Sequence, residues 1–445
     1  MDIGKPDRVI ERIKRTAEDI EDELIKIRRE LHQYPELGLD LPQTHDIICR
    51  ELYKIPGLTV HEHMAGGSGI VAVMQGKRGS GWTVLLRADI DALPIEEKFE
   101  QEAGCGNPSE MKLCCENLSE GESCSGYKSR NPGCMHACGH DGHAAWLIGA
   151  AKILSEIRDE WGGCIKFVFQ PGEEIGKGAD TLIHEDRVLE DPPVDMAFAA
   201  HGWPSIESGR IGIARRYAFG CVGSFRVKIT GVKGHASWPE ETIDPIAAAG
   251  EIYQHIPAIL ARKIGGTASK VMSVTYMQAG DPGVRNIIPQ TCEFGGTMRA
   301  AKRETLEIMG RELKKETEAV CEVYGASCEV DVQVHGGAVE NDRSLLYGVQ
   351  DAAGRILGHN QVYIIEEDNL GGENFAEYSA RVPSVYLFIG IRPQGQEEIP
   401  GLHSPWYRFD DQVLAGAAGT FAAIAYYGCT GTCTLEKSMR TETLW

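Results

Sequence analysis

The spacing of apolar and polar residues predicts a first region in which helices alternate with buried strands. Residues 9–31 carry apolar side chains at helical spacing, which predicts one long amphipathic helix that ends near Pro35. Short apolar runs, which alternate with helical stretches such as residues 142–157, predict strands at residues 69–73, 83–86, 165–169 and 196–200. This order is typical of an α/β domain whose mostly parallel central sheet is flanked by helices.

A different pattern begins near residue 223. Predicted strands and helices follow one another in the order βαββαβ, at residues 225–230, 245–264, 270–277, 291–298, 304–324 and 328–334. That order indicates a compact α+β unit with ferredoxin-like connectivity. A helix, a strand and a helix then resume up to residue 427. We therefore expect residues 221–335 to form a domain inserted into a first domain of residues 1–220 and 336–445.

Length, charge and cysteine content limit the classes of function. The 445 residues are enough for two domains, and the formal net charge of −20 argues against a nucleic-acid partner. An anionic substrate would need a local cationic group to capture it. The first 34 residues lack the apolar core of a secretory signal, and no apolar stretch is long enough to cross a bilayer. We expect a cytoplasmic protein without a membrane partner, whose 14 cysteines are thiols or metal ligands.

A polar, Gly/Ser-rich segment at residues 101–126 holds Cys105, Cys114, Cys115 and Cys124. The spacing fits no usual zinc motif, which favours a surface insertion over a structural zinc site or a disulfide clasp.

Residues 135–143 contain five potential metal donors, and the adjacent carboxylates Glu173 and Glu174 follow a predicted strand. Structural zinc sites usually combine four Cys and His ligands in two closely spaced pairs. Cys138-x-His140 is not accompanied by a second pair of this kind. This favours a catalytic centre over a structural one. Two adjacent carboxylates repel each other unless a cation neutralises one of them. One could bind metal while its neighbour acts as general base, the alternative being a solvated acidic turn.

Other candidate residues lie at strand ends and in the inserted domain. His201 ends a predicted strand and His403 precedes the last helix, so each could approach the same sheet edge. In the inserted domain His235, Asn286 and Arg299 flank predicted strands. An oxyanion donor with a carboxylate clamp would use such residues, and a polar sheet edge is the alternative.

Together these motifs resemble the aminoacylase and hippurate-hydrolase type amidohydrolases of the zinc-exopeptidase superfamily, akin to plant auxin-conjugate hydrolases and bacterial aminobenzoyl-glutamate hydrolases. The resemblance covers about residues 28–413 and rests on motifs in family order: RRELHQYPELG, RADIDALPIEE, NPGCMHACGHDGHAA, FQPGEEIGKGA, GHASWPEETIDP, RNIIPQT, GTMR, ENFAEY and LHSP. The chain departs from the family at Asn374, where an aspartate is common.

The resemblance implies hydrolysis of the amide bond of N-acyl amino acids, with metallo-dipeptidase activity as the nearest rival and a non-catalytic metal-binding module as a remoter one. It implies two divalent metal ions, zinc or manganese foremost and nickel or cobalt also compatible, held by Cys138, His140, Glu174, His201 and His403. Glu173 would be the base, Asp91 and Asp141 would orient imidazoles, His235 would polarise the scissile carbonyl, and Asn286 and Arg299 would hold the substrate carboxylate. The inserted domain would be a lid through which a homodimer forms.

Overall fold

The computed structural model describes residues 5–98 and 127–432 of the chain. The helices are α1 (Lys5–Asp19), α2 (Glu21–Gln33), α3 (Pro42–Leu52), α4 (His140–Glu156), α5 (Ala179–His184), α6 (Pro245–Arg262), α7 (Arg303–Tyr324), α8 (Arg343–Leu357), α9 (Ala376–Ser379) and α10 (Val413–Cys429). The strands are β1 (Leu58–Met64), β2 (Gly69–Gln75), β3 (Thr83–Asp89), β4 (Cys164–Gln170), β5 (Met196–Glu207), β6 (Ile211–Ala214), β7 (Tyr217–Phe219), β8 (Cys221–Thr230), β9 (Gly234–His235), β10 (Lys270–Ala279), β11 (Ile287–Ile288), β12 (Thr291–Ala300), β13 (Ser327–Gly336), β14 (Val339–Glu340), β15 (Val362–Ile365) and β16 (Ser384–Arg392).

The first of two compact units takes in the described residues within 1–216, 340–366 and 377–445. Its eight-stranded sheet has the order β1-β2-β4-β3-β5-β16-β6-β15. The four central strands from β4 to β16 are parallel, whereas β1 and β2 form an antiparallel hairpin and β6 is antiparallel to β16. The sheet is therefore mixed, and the parallel arrangement expected from the sequence holds for its centre.

Buried strands and closely packed helices form the core of this unit. Every side chain of β3 and β4 is buried, as expected for strands covered on both faces. Helices α4 and α10 are rich in alanine and glycine and are buried along most of their length. A Cβ on Gly149 of α4 would lie 2.7 Å from the Ala418 Cβ of α10, so the two helices approach too closely for a larger side chain. This packing positions His140, the first residue of α4.

The predicted N-terminal helix is divided. A turn at Ile20, with φ −103° and ψ 3°, separates α1 from α2. Hydrogen bonds continue across the turn, because the Ile20 N–H donates to the Thr16 carbonyl and the Leu24 N–H donates to the Ile20 carbonyl. The apolar spacing therefore continues across this local break in the helix, and the sequence does not reveal the break.

The second unit takes in residues 217–339 and 367–376. Its four-stranded antiparallel sheet has the order β10-β12-β8-β13, and α6 and α7 bury their apolar faces against it. Residues 367–376, which the sequence led us to expect in the first domain, group with this unit. The Gly220 N–H donates to the Gly371 carbonyl, and the Ser269 hydroxyl donates to Asp368 at 2.7 Å.

Every cysteine within the described ranges is a free thiol, and the cysteine-bearing insertion at residues 101–126 lies outside them. Among residues 5–98 and 127–432, no helix combines the length and apolar character that a membrane span needs.

Candidate metal centre

Three neighbouring strands carry polar side chains to one edge of the main sheet. β3 lies between β4 and β5 and runs parallel to both, so the residues after Asp89 and after Gln170 emerge side by side. The expectation that His201 ends its strand is wrong. β5 continues to Glu207, because β16 pairs with it along this length. His201 therefore projects from within a paired strand.

Six predicted side chains meet at this edge. One donor atom from each member lies within 4.8 Å of the others in three overlapping groups: Cys138, His140 and His201; Cys138, Glu174 and His403; and His140, Glu173 and Glu174. The Cys138 Sγ is 3.2 Å from His201 Nε2. Glu174 Oε1 is 3.5 Å from His403 Nε2 and 3.9 Å from His140 Nε2. The five predicted metal ligands and the predicted base thus lie in one cluster, which we call the metal cluster.

Hydrogen bonds fix the orientation of two buried imidazoles. His140 Nδ1 donates to the backbone carbonyl of Asp91 at 2.8 Å, and His201 Nδ1 donates to the carbonyl of Gly202 at 2.9 Å. Because a carbonyl oxygen only accepts, Nδ1 carries a hydrogen in both rings and Nε2 faces the cluster. Proteins commonly hold metal-binding histidines in this way.

His143 is not available as a ligand, although it belongs to the same sequence motif. Its Nε2 accepts the Gly202 N–H at 2.9 Å, and its Nδ1 donates to Asp89. Burial lowers the pKa of His143 to about 3, so the ring is neutral. Asp89 was not among the predicted site residues. It also pairs with buried Arg87 and lies 3.8 Å from His140 Nε2, so it adds negative charge beside the cluster.

Asp91 holds the turn that carries the two glutamates. Its Oδ1 accepts the Glu173 N–H and its Oδ2 accepts the Glu174 N–H, each at 3.1 Å. Oδ1 is also 3.5 Å from His140 Nδ1. Burial raises the pKa of Asp91, and the hydrogen bond with His140 opposes that rise. Through its carbonyl and its carboxylate, this one residue positions three members of the cluster.

Two residues with left-handed backbone conformation shape the cluster. Gly139, directly before α4, has φ 86°, and a Cβ there would lie 2.4 Å from the Tyr407 hydroxyl oxygen. His403 has φ 63°, and its N–H donates to the Ala137 carbonyl at 2.9 Å. Non-glycine residues rarely adopt this conformation, so the surrounding structure must impose it on His403.

Burial and charge set the protonation of the cluster. Burial raises the pKa of the Cys138 thiol well above its usual value. Burial alone would lower the pKa of His140, but the charge of Asp89 holds it well above the ordinary range. Burial would likewise raise the pKa of Glu174, but the neighbouring His403 ring holds it below the usual value. A divalent cation would displace the proton from the thiol, because metal ligation requires the thiolate.

The donors fit a metal centre. Within residues 5–98 and 127–432, two buried side-chain atoms that could bind a metal have no hydrogen-bond partner. They are His140 Nε2 and Glu174 Oε1. Such atoms are costly to bury, and a cation would satisfy both of them. A thiolate, imidazoles and carboxylates together suit zinc-like divalent ions.

Asp141 lies elsewhere than predicted. Its Oδ2 is 2.8 Å from both Arg28 Nε and His32 Nδ1, so it orients an imidazole outside the metal cluster. Arg28 also pairs with Asp411 at 3.1 Å, and His32 pairs with Glu97 at 3.2 Å. This buried network was not predicted from the sequence, although Arg28 and His32 belong to the RRELH motif.

The predicted substrate-binding residues lie in the second unit. His235, on β9, pairs with Ile287 of β11, and the Ala236 N–H donates to the Asn286 carbonyl at 2.9 Å. The His235 and Asn286 side chains are exposed. Arg299 lies on β12 of the four-stranded sheet, partly buried, and donates to the Met298 carbonyl at 3.0 Å. The structure thus places His235 beside Asn286, and Arg299 on a different sheet.

Comparisons with known proteins agree on one family. The model of peptidase family M20/M25/M40 matches residues 85–426. An N-acetylcysteine deacetylase of Bacillus subtilis is 34% identical over 90% of this chain and 96% of its own length. Thermostable carboxypeptidase 1 of Saccharolobus solfataricus is 32% identical over 94% of this chain and 98% of its own.

A solved structure leads to the same assignment. A Bacillus subtilis protein described as a dinuclear metal-binding peptidase of family M20 has a TM-score of 0.74 and 30% identity, covering 92% of this chain and 98% of its own. These matches confirm the family resemblance inferred from the motifs. The chain belongs to peptidase family M20/M25/M40.

Proposed function

We propose that this chain hydrolyses the amide bond of N-acyl amino acids at a centre of two divalent metal ions. The proposed ligands are Cys138, His140, Glu174, His201 and His403. The observation that carries the proposal is the overlap of the three donor groups, in which Cys138, His140 and Glu174 each belong to two. Shared donors support two ions in neighbouring positions. The relative described as dinuclear and the relative named a deacetylase agree with this reading.

Glu173 is the proposed general base. When bound, the ions would supply Lewis-acid chemistry, which lowers the pKa of bound water toward neutral pH. Glu173 belongs to one donor group with His140 and Glu174, and its backbone is held by Asp91. Its carboxylate would take a proton from the attacking water and deliver it to the amide nitrogen as the C–N bond breaks. The products are a carboxylate and an amino acid.

The second unit would supply substrate contacts. Because the chain carries a net charge of −20, capture of an anionic amino acid requires a local cation, and Arg299 is the proposed one. Burial lowers the pKa of Arg299 from its very high usual value, and the guanidinium remains charged. The exposed Asn286 amide would share the carboxylate, and the exposed His235 ring would donate to the developing oxyanion.

Carboxypeptidase or dipeptidase activity is the second candidate, favoured by the relative named a carboxypeptidase. The two activities have a common chemical core, because both substrates are amides whose nitrogen belongs to an amino acid with a free carboxylate. They differ in whether the acyl part is a simple acid or a peptide. Turnover of N-acetyl and benzoyl amino acids should therefore be compared with turnover of dipeptides and longer peptides.

Zinc and manganese are the foremost candidates for the metal, and reconstitution with each of zinc, manganese, nickel and cobalt would identify the most active form.

The second unit is the proposed lid and dimerisation domain. Its edge strand β10 exposes Val271, Tyr276 and Met277, and unpaired apolar edges favour strand addition. Light scattering of Met277→Lys against the unmodified chain would test this, and an unmodified chain that is monomeric would refute it.

Glu173→Gln tests the proposed reaction most directly. The variant should bind metal normally and lose nearly all turnover, because the amide cannot accept the proton. Glu185→Gln is a matched control, since Glu185 is exposed and lies outside the metal cluster. Metal content by mass spectrometry and hydrolysis of N-acetyl amino acids should be measured together. Full activity of metal-loaded Glu173→Gln would remove Glu173 as the base.

Two further variants separate the roles in the second unit. His235→Ala should lower kcat by about 10² to 10³, the usual effect of removing one oxyanion donor, with metal content unchanged. Arg299→Ala should chiefly raise KM for substrates with a free carboxylate. An equal effect on esterified substrates would rule out the carboxylate clamp.

A further inference from the structure

A second group of metal donors lies on α3 and β1. His45, Glu62 and His63 each offer a donor atom within 4.8 Å of the others. Cys49 extends the group, with its Sγ 3.6 Å from His45 Nε2. His45 Nε2 is also 3.5 Å from Glu62 Oε2. The group has no residue in common with the metal cluster, and the proposed reaction does not use it.

The backbone brings His45, Glu62 and His63 together and places Cys49 beside His45. His45 and Cys49 are four residues apart on α3, so they project from the same face of the helix. On a regular strand Glu62 and His63 would point to opposite faces. The register of β1 shifts between His61 and Met64, and His63 has φ 57°. Bulges of this kind redirect a side chain, and here the His63 ring stacks on His45 with centroids 4.7 Å apart.

The group is oriented as metal ligands are. His45 Nδ1 is 3.3 Å from Asp46 Oδ1, an arrangement that leaves Nε2 facing Cys49 and Glu62. His45 and Cys49 are buried, whereas His63 is exposed, so an ion could enter from the solvent side. Burial and the charge of Glu62 raise the pKa of the Cys49 thiol to about 12. The thiol therefore keeps its proton until a cation displaces it.

We propose that His45, Cys49, Glu62 and His63 form a zinc site separate from the metal cluster. Zinc accepts sulfur, nitrogen and oxygen ligands in tetrahedral geometry, and four protein ligands close its shell. A closed shell has no open position for substrate, so the site is structural. It ties α3 to the edge strand β1, which has β2 as its neighbour in the sheet.

Zinc content per chain tests this proposal. In a Cys138→Ser/His140→Ala background, which weakens the metal cluster, the protein should still retain one zinc ion per chain after dialysis. Adding His63→Ala or Cys49→Ser should remove that ion, whereas His61→Ala should not. His61 is the matched control, because it is an exposed histidine of the same strand outside the donor group. Asp46→Asn should weaken zinc binding by about 10-fold or more.

Cobalt substitution identifies the ligand sulfur. Cobalt bound in that background should show the absorption of a cobalt–thiolate bond, and Cys49→Ser should abolish it. Should the background fail to fold, His63→Ala in the otherwise unmodified chain should lose one zinc ion and hydrolyse substrate at the unmodified rate. The proposal is overturned if the folded background holds no zinc, or if His61→Ala and His63→Ala lose zinc equally. It is also overturned if His63→Ala in the unmodified chain loses no zinc.

Discussion

Replacement of Asp91 by asparagine should weaken metal binding without removing any proposed ligand. The two carboxylate oxygens accept the backbone N–H groups of Glu173 and Glu174, each at 3.1 Å. Asparagine has nearly the same shape, but one of its two oxygens becomes an NH₂ group that can only donate. One backbone N–H would then face another donor. The turn that presents both glutamates would lose one of its two anchors.

The size of the effect follows from that single unmade hydrogen bond. Leaving a buried donor unsatisfied costs about 1–3 kcal/mol. At about 1.4 kcal/mol for each factor of ten, this is about 5-fold to 150-fold in an equilibrium constant. The range agrees with the loss of about 10-fold to 100-fold that is usual when a group supporting a metal ligand is removed. Asp91→Asn should therefore weaken metal binding by one to two orders of magnitude.

Competition with a metal indicator measures this dissociation constant directly. Asp195→Asn is the matched control, because the Asp195 carboxylate also accepts a backbone N–H, that of Thr83 at the start of β3, at 2.7 Å. Because Asp195 accepts a single N–H, the remaining asparagine oxygen can keep that bond, and the control should bind metal normally. Unchanged affinity in Asp91→Asn, or an equal loss in both variants, would refute the argument that Asp91 acts through the glutamate turn.

Three further predictions concern the buried surroundings of the metal cluster. Asp141→Asn should lower the free energy of unfolding by about 3–5 kcal/mol, because it removes a negative charge that is paired with the buried Arg28 guanidinium. Metal content should be unchanged, and metal loss with normal stability would contradict the placement of Asp141. Gly139→Ala should destabilise the fold by at least about 1–2 kcal/mol from the left-handed backbone alone, with a clash against Tyr407 in addition, and a normal melting temperature would contradict it. Since the raised pKa of Cys138 keeps the thiol protonated in the metal-free protein, binding releases a proton. Release of this one proton should make the apparent metal affinity rise about tenfold for each pH unit. Calorimetry between pH 6 and 8 would contradict this if the metal affinity did not change with pH.

The elements most readily predicted from the sequence were those whose burial is uniform. β3 and β4 are buried at every position, so their apolar runs were visible without any knowledge of their neighbours. β1 was missed because half-exposed and exposed residues alternate along it, including three polar residues at positions 61–63. The full length of β5 was missed because its second half is defined by pairing with β16, about 190 residues away in sequence.

The proposed metal ligands could be predicted from side-chain type, whereas the contacts that support them could be identified only from the fold. Cys138, Glu174 and His403 could be selected because few residue types bind transition metals. The partners of Asp141 could not be selected in the same way. A carboxylate beside a ligand histidine could turn toward several imidazoles, and the ion pair with Arg28 spans more than 100 residues of sequence. Asp89 was passed over for a similar reason, since its link to His143 exists only once β3 and α4 are packed.

The conformation of His403 has a consequence for the exchange of metal ions. The other proposed histidine ligands are mounted on a helix and on a paired strand, whereas His403 lies on a loop with its N–H bonded to Ala137 and its side chain 53% exposed. A left-handed residue relaxes readily once its contacts are released. The ion that shares His403 should therefore leave first and return last, so the two positions would fill in sequence. A singly loaded enzyme would be a defined species on the path between the empty and the full protein.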